Sequence, residues 1–283
     1  MKKIAIVVDS SASFTPEEVK ETGVYVAPLT IIYNGKEYVD QVTITNDEVA
    51  QLLNDNAVIT TSQPNLGTLI NLFEDIKSKN YDHVIALPIS RHLSGTYAAF
   101  KQAADEVGLD NITIVDNLTL IAVIQHATHK IIELNNEGKD IDEILAALQN
   151  IWDNTESYLI PKSLKQLKAS GRISPAAGTL ASLLRIKPVL KLWNKGETID
   201  KFDTARTDAK TYDIVIKDLI KNNVTPKTHK LYFLEAKGAA ELEAFKTAIE
   251  NELGVFQSHT SVLPSSLVTH AGLGTIAVQV APL

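Results

Sequence analysis

The sequence predicts a two-domain α/β protein. Its N-terminal domain is expected to be a three-layer α/β/α sandwich on a parallel sheet. Its C-terminal domain is expected to be a two-layer α/β unit on a mixed sheet. Three observations carry this expectation. Short, continuous apolar runs such as Ile4–Val8 alternate with helical patterns through the first half, as strands buried on both faces do when crossover helices separate them. The second half opens instead on two extended stretches joined by Asn194-Lys195-Gly196, which reads as a hairpin. The 283 residues suffice for two domains of ordinary size, and the pattern changes near 155–160, so the domains are drawn as 1–157 and 158–283.

Taken in order, Ile4–Val8 is the first strand and ends in Asp9-Ser10-Ser11-Ala12-Ser13. Thr15-Pro16-Glu17-Glu18 then opens a helix, with Thr15 and Glu18 forming a capping box and proline at the first helical position. Val24–Ile32 reads as one extended segment, followed by turn chemistry at Asn34-Gly35. Thr60-Thr61-Ser62-Gln63-Pro64 reads as a hydroxyl-rich turn ahead of a helix whose Leu66, Leu69, Ile70, Phe73 and Ile76 share one face. Val84–Ile89 is the next strand, and a serine-rich turn leads from it into a helix bearing Phe100, Ala103 and Ala104. Ile112–Val115 is a further strand, a long helix runs to about Leu134, and Ile141–Trp152 is helical after a break at Gly138. Beyond the hairpin of Lys187–Trp193 and Glu197–Phe202 come a helix near Asp208–Asn222, a strand at Leu231–Leu234, a helix at Ala239–Leu253 and terminal strands.

Composition excludes several function classes. There is no cysteine, so disulfides, thiol catalysis and cysteine-ligated metals are ruled out. The N-terminal apolar run is shorter than a signal peptide's and reaches Asp9 without a small-residue cleavage site. No segment approaches the ~18–20 apolar residues of a membrane span. A cytoplasmic protein without stable membrane insertion is therefore expected. A net charge of −7 argues against nucleic acid, whose phosphates need a positive footprint. That average hides an asymmetry, because Pro161–Arg206 holds ten Lys/Arg against three acidic residues. Such a segment suits a docking face or an anionic ligand, and equally an ordinary solvated surface.

The chain lacks a Walker A loop, a complete G-x-G-x-x-G, an H-E-x-x-H and a G-x-S-x-G elbow. His126 and His129 form an H-x-x-H pair, but no third ligand is evident and no metal site is expected. The hydroxyl-rich turns at 9–13, 60–63 and 90–96 are more informative. A helix start presents unpaired N–H groups and partial positive charge, so each turn is either a plain N-cap or part of an anion site. His270, ahead of a Gly-x-Gly turn, and Arg172 and Arg206, in turn-like settings, are further candidates for holding a phosphate or carboxylate. A rival reading makes Ser94 a nucleophile and His270 its base in a hydrolase or acyltransferase, with Asp9 as orienting acid. Another is a sugar- or phosphate-binding phosphotransferase domain, which the missing nucleotide motif disfavours.

The ordered set "IAIVVDSSASFTPEE", "VAPLTIIYNGKEYVD", "TTSQPN", "ISRHLSGTYAA", "LKASGRIS", "RIKPVL", "ARTDAK" and "HAGLGTIAV" resembles the DegV family across essentially the whole chain. The resemblance implies two α/β domains and a bound long-chain fatty acid, with no cofactor. The protein would be the acyl-carrying subunit of a bacterial fatty acid kinase, not itself the phosphotransferase. By the same resemblance Thr61, Ser94 and His270 hold the carboxylate, with Ser62 and Gly95 beside them. Arg172 and Arg206 match basic positions near the head group or the kinase-docking face, and the C-terminal domain contributes to the acyl pocket. The chain departs from the family pattern at Asn65, at Ala271 and Leu273, at Ser170, and in the bulky "VDNLTLIAVIQ", where Ser and Gly are common in the family.

Overall fold

The computed structural model describes residues 2–179, 186–193 and 196–283. The expected hairpin turn at Asn194-Lys195, the basic residues Arg185 and Lys195, and the start of the "RIKPVL" motif lie outside the described residues. The chain divides into two compact units, Met1–Asp153 with Pro264–Ser266, and Asn154–Leu263 with Leu267–Leu283.

The first unit contains β1 (Ile4–Asp9), a 3-10 turn at Ser10–Ala12, α1 (Pro16–Thr22), β2 (Tyr25–Ala27), β3 (Thr30–Tyr33) and β4 (Lys36–Val39). There follow α2 (Asn46–Asn54), β5 (Ile59–Ser62), α3 (Leu66–Ser78), β6 (His83–Leu87), α4 (Thr96–Val107), β7 (Ile112–Ile114), α5 (Ala122–Asn136) and α6 (Ile141–Asp153). A parallel sheet has the order β2-β1-β6-β7. Alternate residues of its central strands serve opposite cores, as the two-residue period of a strand requires. Ile6, Val8, Ile85 and Leu87 meet Val123, Ile124, Ile131, Ile144 and Leu148 of α5 and α6. Ala5, Val7, Val84 and Ala86 meet Leu69, Phe73, Phe100 and Ala103 of α3 and α4. This is the three-layer sandwich expected from the apolar runs. The capping box of α1 is present with both of its hydrogen bonds, and a second one, from Thr45 to Glu48, opens α2.

Two expectations are corrected here. Val24–Ile32 is not one strand: β2 belongs to the parallel sheet and β3 to a separate antiparallel sheet of order β4-β3-β5. The break falls at Pro28-Leu29. Proline offers no N–H to a ladder, and the Leu29 amide donates to Ser10 Oγ at 3.0 Å. Thr60–Ser62 is likewise not a turn after a parallel strand but part of β5, paired antiparallel with β3. Only the turns at 9–13 and 90–96 follow strands of the parallel sheet.

The second unit contains β8 (Glu156–Ile160), α7 (Lys165–Ser170), α8 (Pro175–Gly178), β9 (Lys187–Trp193), β10 (Thr198–Ala205) and α9 (Asp208–Lys221). It continues with β11 (His229–Ala236), α10 (Ala239–Leu253), β12 (Ser258–Val262), α11 (Ser265–Ala271), whose first two residues belong to the first unit, and β13 (Thr275–Pro282). Its mixed sheet has the order β10-β9-β8-β13-β11-β12. One face packs Tyr158, Val189, Phe233 and Val278 against Tyr212, Val215, Leu219, Leu242 and Phe245 of α9 and α10. On the other, Leu159, Leu190 and Ile199 receive the short helices α7 and α8 through Leu167 and Ala177.

Candidate functional site

Ser94 and Gly95 close the connection between β6 and α4. Gly95 is the N-cap of α4, with helical backbone and no side-chain cap bond. Ser94 Oγ shares a hydrogen bond of 2.8 Å with Thr96 Oγ1 and accepts from the Thr96 amide at 3.3 Å. Its capping bond is thus long, and with Thr96 as the donor of the shared bond the half-buried Ser94 O–H is left to donate to a ligand. The connection is braced from below: Asn117 Nδ2 donates to the Pro88 carbonyl at 2.6 Å, and the Ser90 amide donates to the Thr119 carbonyl at 2.9 Å.

Thr61 and Ser62 sit on β5, opposite Ile31 and Thr30 of β3. Successive strand residues point to opposite faces, so the half-buried Thr61 and the exposed Ser62 do not present their hydroxyls to one side. The cap of the following helix is Asn65, whose Oδ1 accepts from the Thr68 amide; Thr61 is not a cap. Gln63 links the two motifs. A Cβ placed on Gly95 would collide with Gln63 Oε1, so the side chain after Thr61-Ser62 lies directly over the Ser94-Gly95 turn. Sequence reasoning overlooked Gln63, because a glutamine carries no distinctive chemistry until its neighbour is known.

His270 and Arg172 fall in the second unit and lie close enough to influence one another. Burial first, and the Arg172 charge second, push the His270 imidazole down to about 4, so it is neutral at pH 7 and able to donate one N–H. The turn after it is shaped by glycine: Gly272 and Gly274 have φ of +81° and +77°, a left-handed conformation that favours glycine. A Cβ at these positions would stand 2.9 Å from Gln166 Oε1 and 2.5 Å from Lys162 Cδ. The turn therefore packs directly against the start of the basic segment. Arg172 follows Gly171, the left-handed C-cap of α7, and donates from Nη1 to the Ser170 carbonyl at 2.5 Å. Arg206 is exposed just past β10, on a different connection.

The basic segment is less uniform than its sequence suggests. Lys187 pairs with Asp208 at 2.6 Å. Lys191 is buried, pairs with Glu156 at 2.8 Å and Asp218 at 2.9 Å, and lies over the rings of Tyr158, Trp193 and Phe202. Lys162, Lys165 and Lys168 are the ones exposed around α7.

The two oxygens of Asp9, offered above as an orienting acid, are engaged by backbone amides. The carboxylate is fully buried and accepts from the Ser11 amide at 2.8 Å and the Ile89 amide at 2.6 Å. Burial raises its pKa to about 6. Among the described residues no group of three or more His, Asp or Glu is arranged to hold a metal ion, and no helix is long and apolar enough to cross a membrane.

A family model described as "Uncharacterised protein, DegV family" matches residues 3–283. The chain belongs to the DegV family. It is 33% identical over 281 residues to a DegV domain-containing protein of Mycoplasmopsis pulmonis, covering 98% of this chain and 94% of that one. It is 29% identical over 289 residues to one of Clostridium acetobutylicum, covering 99% of each. Among solved structures, a DegV family protein of Thermus thermophilus, described for its fatty acid binding, superposes with a TM-score of 0.90 at 28% identity over 100% of both chains.

Proposed function

We propose that this protein binds a long-chain fatty acid, shields its acyl chain and presents its carboxylate to a separate ATP-dependent fatty acid kinase in the cytoplasm. It forms no covalent intermediate and catalyses nothing itself. Thr61, Ser62, Ser94, Gly95 and His270 hold the head group, with Ser62 acting through its main chain on the edge strand β5. Residues 1–157 carry most of this site, and residues 158–283 add the acyl pocket and a docking face that includes Arg172 and Arg206. One observation supports the reading above the rest: the T-S-Q-P segment reaches over the S-G-T turn through Gln63, in a fold that matches a fatty-acid-binding relative along its whole length.

The energetics favour such a division of labour. Each buried methylene contributes about 0.8 kcal/mol, so the acyl chain supplies most of the affinity. A buried carboxylate is expensive unless it is hydrogen-bonded, and bonds to a charged group contribute roughly 1.5–3 kcal/mol each. The donors therefore offset desolvation and fix where the carboxylate stands.

The test is acyl phosphate formation with a purified fatty acid kinase, ATP and stearate. Ser94→Ala and Thr61→Ala should each lower the rate about ten-fold or more while circular dichroism and thermal unfolding stay near wild type. Normal phosphorylation in both variants would remove these hydroxyls from the head-group site.

A further inference from the structure

The first unit contains two buried carboxylates that the proposed site does not use. Asp9 is 0% exposed and Asp40 is 1% exposed. Their surroundings are connected through Ser10. Asp9 Oδ2 accepts from the Ile89 amide, 80 residues away in sequence, and Ile89 begins the connection that ends on Ser94-Gly95. Ser10 Oγ accepts from the Leu29 amide at 3.0 Å and donates to Asp40 Oδ2 at 2.7 Å. The Asp40 amide donates in turn to the Leu29 carbonyl at 3.0 Å. Leu29 is thereby held on both sides just before β3, the strand whose Ile31 pairs with Thr61.

The Asp40 carboxylate also faces the Ser265 and Ser266 hydroxyls and the Ser266 amide, and Ser265 Oγ donates to Asn46 Oδ1. These residues belong to Pro264–Ser266, the tripeptide that returns to the first unit, and they open α11, the helix that carries His270.

We propose that Asp9, Ser10 and Asp40 are positioning residues. Together they fix the three segments that carry Ser94, Thr61 and the start of the His270 helix, without touching the ligand. The inference rests on the head-group reading above. Its physical basis is that burying two carboxylates close enough to repel one another is a poor way to gain stability, and apolar side chains of similar size would serve that end better. A carboxylate with an N–H on each oxygen fixes direction as well as distance, which an apolar contact does not.

The experiment compares thermal unfolding, radiolabelled stearate binding and amide hydrogen exchange in the full-length wild type, Asp9→Asn and Ser10→Ala. Asp9→Asn keeps the shape but removes the charge and turns an NH₂ towards one of the two amides. We expect it to unfold at or above the wild-type temperature, yet to bind stearate about ten-fold more weakly and exchange faster at Leu93–Thr96. Ser10→Ala should weaken binding in the same direction and loosen the amide of Leu29. Wild-type affinity and exchange in both variants would overturn the proposal, as would a loss of binding no greater than the loss of folded protein. If Asp9→Asn does not fold, Ser10→Ala is judged by the same criteria. If wild type itself fails to bind stearate, the fatty acid reading fails. The positioning role is then decided by exchange at Leu93–Thr96 alone, which must rise in Asp9→Asn.

Discussion

Replacing Gly95 by alanine isolates the contact that joins the two hydroxyl-bearing motifs. The backbone at Gly95 has φ −70° and ψ −1°, so an L residue fits there without strain. Its new Cβ would collide with Gln63 Oε1 and stand 3.4 Å from Gln63 Cδ. The obstacle is the far end of a flexible side chain, so the amide moves while the backbone stays. Forcing it off its rotamer costs about 0.5–1.5 kcal/mol, and removing glycine from the unfolded chain returns about 0.4–1 kcal/mol. These terms nearly cancel, and the thermal midpoint should shift by less than about 4 °C. Affinity has no such compensation. Each misdirected bond to a carboxylate costs roughly 1.5–3 kcal/mol, so the Kd for stearate should rise about ten-fold or more. Equilibrium dialysis with radiolabelled stearate, paired with a thermal melt, reads both quantities. An unchanged Kd at an unchanged midpoint would show that the approach of Gln63 to Gly95 does not serve binding. Parallel losses of both would reduce Gly95 to a structural glycine.

Two further outcomes concern pH and charge. The lowered pKa of His270, about 4, means that the unfolded chain takes up a proton the folded one refuses. Stability supplied by the neutral imidazole is present above about pH 6.5 and is lost as pH falls towards 4, by up to about 3 kcal/mol. Asp9 acts with the opposite sign: its folded pKa of about 6 exceeds the ordinary carboxylate value of 3.8, so its contribution grows as pH falls between them. Asp9→Asn should therefore lose stability with acid more steeply than wild type in denaturant titrations at pH 7, 5.5 and 4.5; equal slopes would contradict the Asp9 assignment. Reversing Arg172 and Arg206 together to glutamate should slow kinase-dependent phosphorylation while leaving Arg206's surroundings folded, and unchanged phosphorylation would sink the docking role.

Much of the fold was legible because its causes are local. Ile4–Val8 is apolar at every position because both faces of its strand are covered, and Thr15 to Glu18 is a complete capping box within four residues. The antiparallel sheet was not legible. Thr60, Thr61 and Ser62 show no apolar alternation, and the unbroken run Val24–Ile32 hides the change of sheet at Pro28. At the candidate site, Ser94 and His270 stood out by residue type, whereas Gln63, Ser10 and Asp40 did not. Their roles come from partners 30 to 80 residues away or more, and a single sequence has no local pattern that records such pairings. The return of Pro264–Ser266 to the first unit is of the same kind.

On the proposed reading the protein carries a fatty acid and leaves the chemistry to a partner. Mass spectrometry of an organic extract from the freshly purified full-length chain tests it most directly. Close to one long-chain fatty acid per chain is expected, lost or sharply reduced in Ser94→Ala. A lipid-free protein that hydrolyses an activated ester, with that activity abolished by Ser94→Ala, would contradict it.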